Sequence, residues 1–488
     1  MAPPVSHAKP PPHPLAERDL RVVWHPCSQM KDHEWLPLLP IERGEGVWLY
    51  DHDGRRYLDA ISSWWVNLFG HANPRINAAI TTQLGRLEHV LLAGFTHEPA
   101  VVLAERLTHL APPGLTRCFY ADNGSSAIEV ALKMSFHYWS NHGRPGKRRF
   151  VTLANSYHGE TLGALAVGHV ELYKEIYRPL LMDVIVAPTP DAYQAEPGES
   201  ADDCARRAIA AMTGILERHA GETCAVIVEP LVQCAAGMRM HAPLYLRLLR
   251  ELCDRHDVHL IADEIAVGFG RTGTMFACEQ AGVTPDFLCL SKGITGGYLP
   301  LSVVLTGEDV YEAFYDEYEN LRAFLHSHSY SGNALACSAA LATLDIFAAD
   351  AVLERNRALA AHLGQRVRDV LGELPHVAEV RQAGMIVAAE LAPHGDRRAA
   401  FDWRERRGLR IYRHGLEHEA LLRPLGHVVY FMTPYVITPE QIDALVTTAR
   451  DAIVSATADY PPVSSPSRAG TGRDATAVPS ASTTGLEF

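Results

Sequence analysis

Short apolar runs alternate with amphipathic helical stretches through the middle of the chain. The runs are RCFYA (Arg117–Ala121), FVTLA (Phe150–Ala154), DVIVA (Asp183–Ala187), AVIVE (Ala225–Glu229), HLIAD (His259–Asp263), FLCLS (Phe287–Ser291) and LSVVL (Leu301–Leu305). SAIEVALKMSFHYW follows the first, and LYLRLLRELCDRHD precedes HLIAD. Strands that alternate with helices build an α/β fold around a mainly parallel sheet. Such sheets bind ligands beyond the carboxyl ends of their strands, so the chemistry is expected just after each run.

From about Ala340 the pattern changes. ALATLDIFAADAVLERNRALAAHLGQRVRDVL reads as one or two long helices, followed by the strand-like GMIVAAEL and VVYFM and a last helix, PEQIDALVTTARDAIVSA. This is a second, smaller α+β unit. Near the N-terminus, GVWLYDHDGRRYLDA reads as a hairpin turning at Asp53-Gly54. The expected organisation is a tail over 1–18, an N-terminal part of the small domain over 19–75, a large domain over 76–338, a C-terminal part of the small domain over 339–459 and a second tail over 460–488. The first tail is Pro-rich and the second is rich in Ser, Thr, Pro, Ala and Gly. Neither has the apolar surface to offset its ordering entropy, so both are expected to be disordered.

The net charge of −13 argues against a nucleic-acid partner, which needs a basic face, and against adhesion to an anionic membrane. No unbroken apolar run approaches the ~18 residues of a membrane span. Nine scattered cysteines without a CxxC, and an N-terminus without an apolar signal region, predict free thiols in a cytoplasmic protein. The 25 histidines form no HExxH and no tight His/Cys cluster, so no metal site is expected.

Three strand ends carry chemistry. After RCFYA comes Asp122-Asn123-Gly124-Ser125-Ser126 and then a helix; small residues at a helix start expose N–H groups that suit a phosphate, or form a plain N-cap. After HLIA comes Asp263-Glu264. A carboxylate there needs a cation, because burying it alone is costly; a helix cap or a structural ion pair is the other reading. After FLCLS comes Lys292-Gly293, with Gly296-Gly297 close behind. A desolvated lysine becomes a nucleophile able to form a Schiff base; otherwise it snorkels to the surface. Gly268-Phe269-Gly270-Arg271-Thr272-Gly273 fits the GxGxxG dinucleotide pattern, but it begins five residues beyond Asp263 and TMFACEQAG after it is a poor long helix, so the match is weak.

Together, Gly124-Ser125, Tyr157-His158-Gly159, Asp263 and Lys292 at successive strand ends resemble the pyridoxal-phosphate enzymes of fold type I, and among them the class III (ω-amino acid) aminotransferases. The resemblance runs from roughly Arg21 to Ala458 and is most specific in LIADEIAVGFGRTGTMFACEQAGVTPDFLCLSKGITGG. VWHPCSQMKDH, the Trp64-Trp65 pair, DNGSSAIEVALKM, SYHGET, EPLVQCAAGMRM and LLRPLGHVVYFMTPYVI look like the subgroup that aminates 8-amino-7-oxononanoate to 7,8-diaminononanoate in biotin synthesis.

The resemblance implies roles. Lys292 holds pyridoxal 5'-phosphate and then moves the proton between Cα and C4′, while Asp263 pairs with the pyridine nitrogen. Gly124 and Ser125 bind the phosphate, and Tyr157 and Ile265 cover the two ring faces. Ser329 matches the hydroxyl residue that reaches the phosphate from a neighbouring subunit, which implies a homodimer with shared sites. His328 and Ser327 fall in the same cofactor and substrate loop. Trp64 and Tyr157 wall a long aliphatic keto acid, Arg423 takes its carboxylate bidentately, and Arg271 is a second polar contact. Cys27 replaces a tyrosine of the donor pocket in the users of S-adenosylmethionine, and HSHSYSGN looks closer to lysine-using members. S-adenosylmethionine is the leading donor and lysine the alternative. Both half-reactions share one pocket, so ping-pong kinetics are expected. The rivals are a broad ω-aminotransferase that aminates pyruvate, an NAD-dependent oxidoreductase built on GFGRTG that needs no Lys292, and an inactive scaffold, against which the complete Asp263/Lys292 pair argues.

Overall fold

The structure, a computed structural model, describes residues 13–36, 38–397 and 399–460. At its centre is a seven-stranded sheet in the order Arg117–Ala121, Ser302–Thr306, Phe287–Leu290, His259–Asp263, Thr223–Val228, Arg149–Leu153, Ile185–Ala187. Every adjacent pair is parallel except the two made by Ser302–Thr306, which runs antiparallel to both neighbours. That strand follows Lys292 after a short glycine-rich connection with no crossover helix, and a parallel return needs a crossover. Phe287–Leu290 and Thr223–Val228 are buried along their whole length, as expected of strands covered on both faces.

Helices pack on this sheet for local reasons that can be read. Gly124–Asn141 starts at Asn123, whose side chain accepts from the Ser126 N–H. Ala201–His219 starts with a reciprocal Ser200/Asp203 capping box. Ala334–Ala349 is apolar nearly all round because most of it is buried. Just beyond its end Ala351 takes φ 45°, and the chain bends by 76° into Val352–Val370. Among the described residues no single helix is long and apolar enough to cross a membrane.

The smaller sheets come from both ends of the chain. Trp48–Asp51 and Arg56–Asp59 form the expected hairpin, its turn tied by the Asp51 carboxylate, which accepts from the Asp53 and Arg55 N–H groups. Ile41–Glu45 adds one edge, and Ala420–Leu421 pairs in parallel with Arg56–Asp59 on the other. A three-stranded antiparallel sheet joins Val377–Ala383, Ile386–Leu391 and Val428–Phe431. Glu390 on this sheet binds Arg381 at 2.7 Å and Arg239 at 3.1 Å. Arg239 belongs to the two-stranded ribbon Val232–Gln233/Arg239–Met240, so a buried ion cluster links that ribbon to the smaller unit.

Two expectations about the termini need correction. Residues 13–18, placed in a disordered tail, include the helix Pro14–Asp19, because Pro14 starts it, the His13 ring accepts from the Leu15 N–H and Ala16 is buried. Tyr460, placed at the head of the second tail, packs against Phe401 and His394 at ring distances of 5.1 and 5.3 Å. Residues 1–12 and 461–488 lie outside the described residues.

Candidate active site

Lys292 follows the carboxyl end of Phe287–Leu290 and takes a left-handed backbone conformation, φ 46°. Gly297, at φ 91°, lets this connection press against the Asn67 backbone, where a Cβ would come within 2.8 Å of Asn67 Cα. Lys292 is half-buried, and its Nζ lies 5.0 Å from the centre of the Trp65 ring. Desolvation pushes its ammonium below the ordinary lysine value, against the opposing pull of Asp263, Cys234 and Glu229. The amine is thereby poised to lose its proton and attack a carbonyl carbon.

Two carboxylates act on it, and a histidine holds one of them. Asp263, 5% exposed, ends His259–Asp263 and accepts from His158 Nδ1 at 2.7 Å and from the Ile265 N–H at 3.1 Å. His158 Nε2 is buried without a hydrogen-bond partner. Glu229, just beyond Thr223–Val228, accepts from the Tyr157 N–H at 3.0 Å and the Cys234 N–H at 3.1 Å. Burial and the Asp263 charge push its carboxyl up to about 8. Glu264 points elsewhere: it caps the 276–278 turn by accepting from the Ala277 and Cys278 N–H groups. Of the neighbouring pair, Asp263 faces the lysine and Glu264 is the cap.

At the start of Gly124–Asn141, Gly124 and Ser125 are half-buried beside Ile265 and Gly159. Ser125 Oγ accepts from the Glu160 N–H at 3.2 Å. Gly159, at φ 122°, brings its backbone so close that a Cβ would sit 2.1 Å from Ser125 Oγ. These residues form a narrow cradle at a helix N-terminus, where the helix dipole favours an anion.

The outer wall is aromatic. Tyr157 donates from its hydroxyl to Glu160 Oε1 at 3.0 Å and lies 5.7 Å from Tyr173, ring to ring. Cys27, at φ 47°, places its Sγ 3.8 Å from the same Glu160 oxygen. Burial, followed by the Glu160 charge, pushes the Cys27 thiol up. Ser62, Ser63, Trp64 and Trp65 all adopt positive φ, from 47° to 72°. Each such residue costs about 1–2 kcal/mol, and strain of this kind gathers at functional sites. The turn sends Trp65 inward, where its indole N–H donates to the Tyr430 hydroxyl at 3.0 Å, and sets Trp64 against Arg423, whose Cζ is 5.3 Å from the Trp64 ring.

The remaining sequence-predicted residues lie elsewhere. Arg271, expected to touch substrate, is 1% exposed and donates to the carbonyls of Thr433, Asn67 and Trp65 at 2.8, 2.9 and 3.3 Å. It braces the strained turn from behind, its two terminal nitrogens satisfied on main-chain acceptors. His328 faces the Asp122 carboxylate at 3.3 Å, Ser327 and Ser329 are exposed, and the Ser329 carbonyl meets His89 Nε2 at 2.6 Å. Sequence reasoning did not assign Trp65, Glu229, Glu160 or Tyr173 to the site. The doubled tryptophan and the glutamates closing AVIVE and opening SYHGET's turn were visible as residues, but their partners come from distant segments.

The aminotransferase class-III family profile matches residues 29–453. The adenosylmethionine-8-amino-7-oxononanoate aminotransferase of Helicobacter pylori is 47% identical over 88% of this chain and 96% of its own length, and that of Geobacter sulfurreducens is 45% identical over 88% and 95%. The solved structure of the Methanocaldococcus jannaschii enzyme of that name superposes with a TM-score of 0.85 at 37% identity, covering 90% of this chain and 98% of its own. The ω-transaminase from Pseudomonas jessenii in complex with PMP superposes with a TM-score of 0.86 at 29% identity, over 91% and 98%. With a family match across most of its length, and a lysine, an aspartate and an anion cradle gathered at the strand ends, the chain belongs to the class-III aminotransferases.

Proposed function

We propose that the chain is a pyridoxal-phosphate-dependent aminotransferase that converts 8-amino-7-oxononanoate to 7,8-diaminononanoate, a step of biotin synthesis, with S-adenosylmethionine as the amino donor. The observation that carries the reading is Lys292, with its lowered pKa, beside Asp263, in a site whose outer wall holds an arginine with no carboxylate partner among the described residues. The relatives named for this substrate, 45–47% identical over most of the chain, support the choice of keto acid.

The residues fit the cofactor. Asp263 offers a buried carboxylate for a protonated ring nitrogen, and a neighbouring cation offsets the cost of burying its charge. The Gly124–Gly159 cradle is too close for a Cβ and suits a phosphate. When bound, pyridoxal phosphate supplies the aldehyde that captures the amine and the ring that accepts its electrons.

The chain's own residues do the rest. Lys292 Nζ, once free, takes the proton from the substrate carbon and returns it as general base and acid. Asp263, oriented by His158 and the Ile265 N–H, keeps the ring nitrogen protonated. Trp64, Trp65, Tyr157 and Tyr173 exclude water and bury the aliphatic stem of the keto acid. Arg423 holds the far carboxylate by its N–H fork. Glu160, at the mouth, suits a cationic amine.

A homodimer with shared sites goes with this reading. The segment bearing Ser329 is flanked by Tyr318, Leu321, Leu325 and Tyr330, between 64% and 90% exposed. A cavity of about 550 Å³ lined by Phe136, Met182, Phe324 and Leu325 adjoins it. Apolar surface of this extent marks an interaction site, and a second copy would bring its Ser329 to the phosphate cradle.

The test is amination by purified, pyridoxal-phosphate-loaded protein with S-adenosylmethionine, comparing 8-amino-7-oxononanoate with pyruvate by mass spectrometry of the products. Strong preference for the long keto acid is expected. Equal or faster turnover of pyruvate would replace the reading with a broad ω-aminotransferase.

A further inference from the structure

Arg423 is held in an unusual way. Its Cζ lies 5.3 Å from the centre of the Trp64 ring and 5.8 Å from that of Tyr412, both within cation–π range. Its Nε is buried without a hydrogen-bond partner. The buried arginines are committed, Arg381 and Arg239 to Glu390, Arg407 to Glu405 and Asp459 and Arg271 to three carbonyls, and Arg406, half-buried like Arg423, is committed to Asp32. Among the described residues, no carboxylate pairs with Arg423.

We propose that Tyr412 is a positioning residue for substrate recognition: with Trp64 it forms an aromatic clamp that fixes the Arg423 guanidinium without a counter-ion, leaving its N–H fork open for the substrate carboxylate. The proposal rests on the reading that Arg423 receives that carboxylate.

The physics favours rings over an acid at this position. A carboxylate partner would occupy the N–H donors and would have to be displaced by every incoming substrate. An aromatic face attracts the cation through its quadrupole and leaves the in-plane N–H groups unused. A competing acid is close by. Glu160 and Arg423 act on the same Cys27 thiol with opposite sign, so a guanidinium released from the clamp has Glu160 within its neighbourhood. Tyr412 sits on the helix Arg407–Glu417 and Trp64 on the strained Ser62–Trp65 turn. The clamp therefore joins segments from opposite ends of the chain. Burial pushes the Tyr412 hydroxyl up, which keeps the ring neutral beside the cation.

The experiment compares Tyr412→Leu, Tyr412→Met, Tyr412→Phe and Arg423→Ala, each loaded with pyridoxal phosphate, in steady-state turnover of 8-amino-7-oxononanoate and of its methyl ester. Removing the ring is expected to raise KM for the acid roughly 10-fold, the range of one cation–π contact, with kcat within about 2-fold. KM for the ester stays put, because the ester offers no carboxylate. Tyr412→Phe keeps the ring and restores the wild-type acid-over-ester preference, and Arg423→Ala abolishes that preference. Tyr412→Met fills the volume without a π face and guards against a folding defect in Tyr412→Leu. If Arg423→Ala collapses the preference while Tyr412→Leu and Tyr412→Met leave it intact, the clamp is wrong and the carboxylate reading stands. If Arg423→Ala itself leaves the preference intact, the carboxylate reading fails and takes the clamp with it. Equal losses for acid and ester, or no rescue by Tyr412→Phe, also overturn the proposal.

Discussion

Replacing Arg271 with methionine separates two readings of a residue that the family resemblance places near substrate. The guanidinium is 1% exposed, lies 5.0 Å from the Tyr435 ring and donates to the carbonyls of Thr433, Asn67 and Trp65. Burial lowers its pKa against the opposing pull of Tyr435, Asp59 and Cys234. Methionine fills much of the volume but donates nothing, so three carbonyls lose their donor at about 1–3 kcal/mol each. Part of that is recovered, because the folded protein no longer desolvates a guanidinium, a cost of several kcal/mol. The net loss is about 2–4 kcal/mol, or roughly 30- to 1000-fold in the folding equilibrium. The Trp65 and Asn67 carbonyls also anchor the left-handed turn at Ser62–Trp65, and an unanchored turn relaxes toward ordinary backbone, carrying Trp65 away from Lys292 Nζ. Urea unfolding followed by tryptophan fluorescence is therefore expected to show an earlier midpoint, and steady-state kinetics a kcat that falls more than KM rises. An unchanged midpoint with a raised KM for the keto acid alone would refute this reasoning and return Arg271 to the substrate wall.

Two further outcomes follow from the geometry. Gly159→Ala puts a Cβ at φ 122° within 2.1 Å of Ser125 Oγ, so Ser125 must leave the cradle; retention of pyridoxal phosphate on dialysis should weaken by about 10-fold or more, the scale of a 1.4 kcal/mol loss, and unaltered retention would show that the cradle does not hold the phosphate. Glu229 bears on the pH dependence of stability: its carboxyl is raised in the fold from the ordinary 4.5 to about 8, so the unfolded chain releases that proton first. The stability it contributes is complete below about pH 4.5 and is lost as pH rises toward 8. Thermal unfolding of the cofactor-stripped protein should become easier across that window, and Glu229→Gln, which cannot ionise, should flatten the slope; an unchanged slope would show that Glu229 stays ionised.

What the sequence made legible follows from how each feature is encoded. The parallel strands stood out because burial on both faces leaves unbroken apolar runs such as FLCL and CAVIV. The direction of Ser302–Thr306 did not, since direction depends on the connection rather than on strand composition. Val377–Ala383 escaped notice because VAEVRQA carries three polar side chains, yet Arg381 is buried there against Glu390. In the site, Lys292 and Asp263 announced themselves as charged residues closing apolar runs. Glu229 closes such a run as well, but its importance lies in the Tyr157 and Cys234 N–H groups it receives from separate loops. Which tryptophan of the pair faces the lysine was hidden, because consecutive left-handed residues follow neither helical nor strand periodicity. The role of Arg271 depends on the Thr433 carbonyl 162 positions away, a contact no local pattern encodes.

The central claim is that Lys292 carries pyridoxal phosphate and passes an amino group through it. The most direct measurement is the visible absorption spectrum of the purified, pyridoxal-phosphate-loaded protein, recorded as S-adenosylmethionine or lysine is added separately, with Lys292→Ala alongside. The account predicts a visible band in the wild type, its absence in Lys292→Ala, and bleaching by S-adenosylmethionine. Bleaching by lysine alone would keep the cofactor and change the donor. No visible band from a folded protein with Lys292 intact would contradict the account.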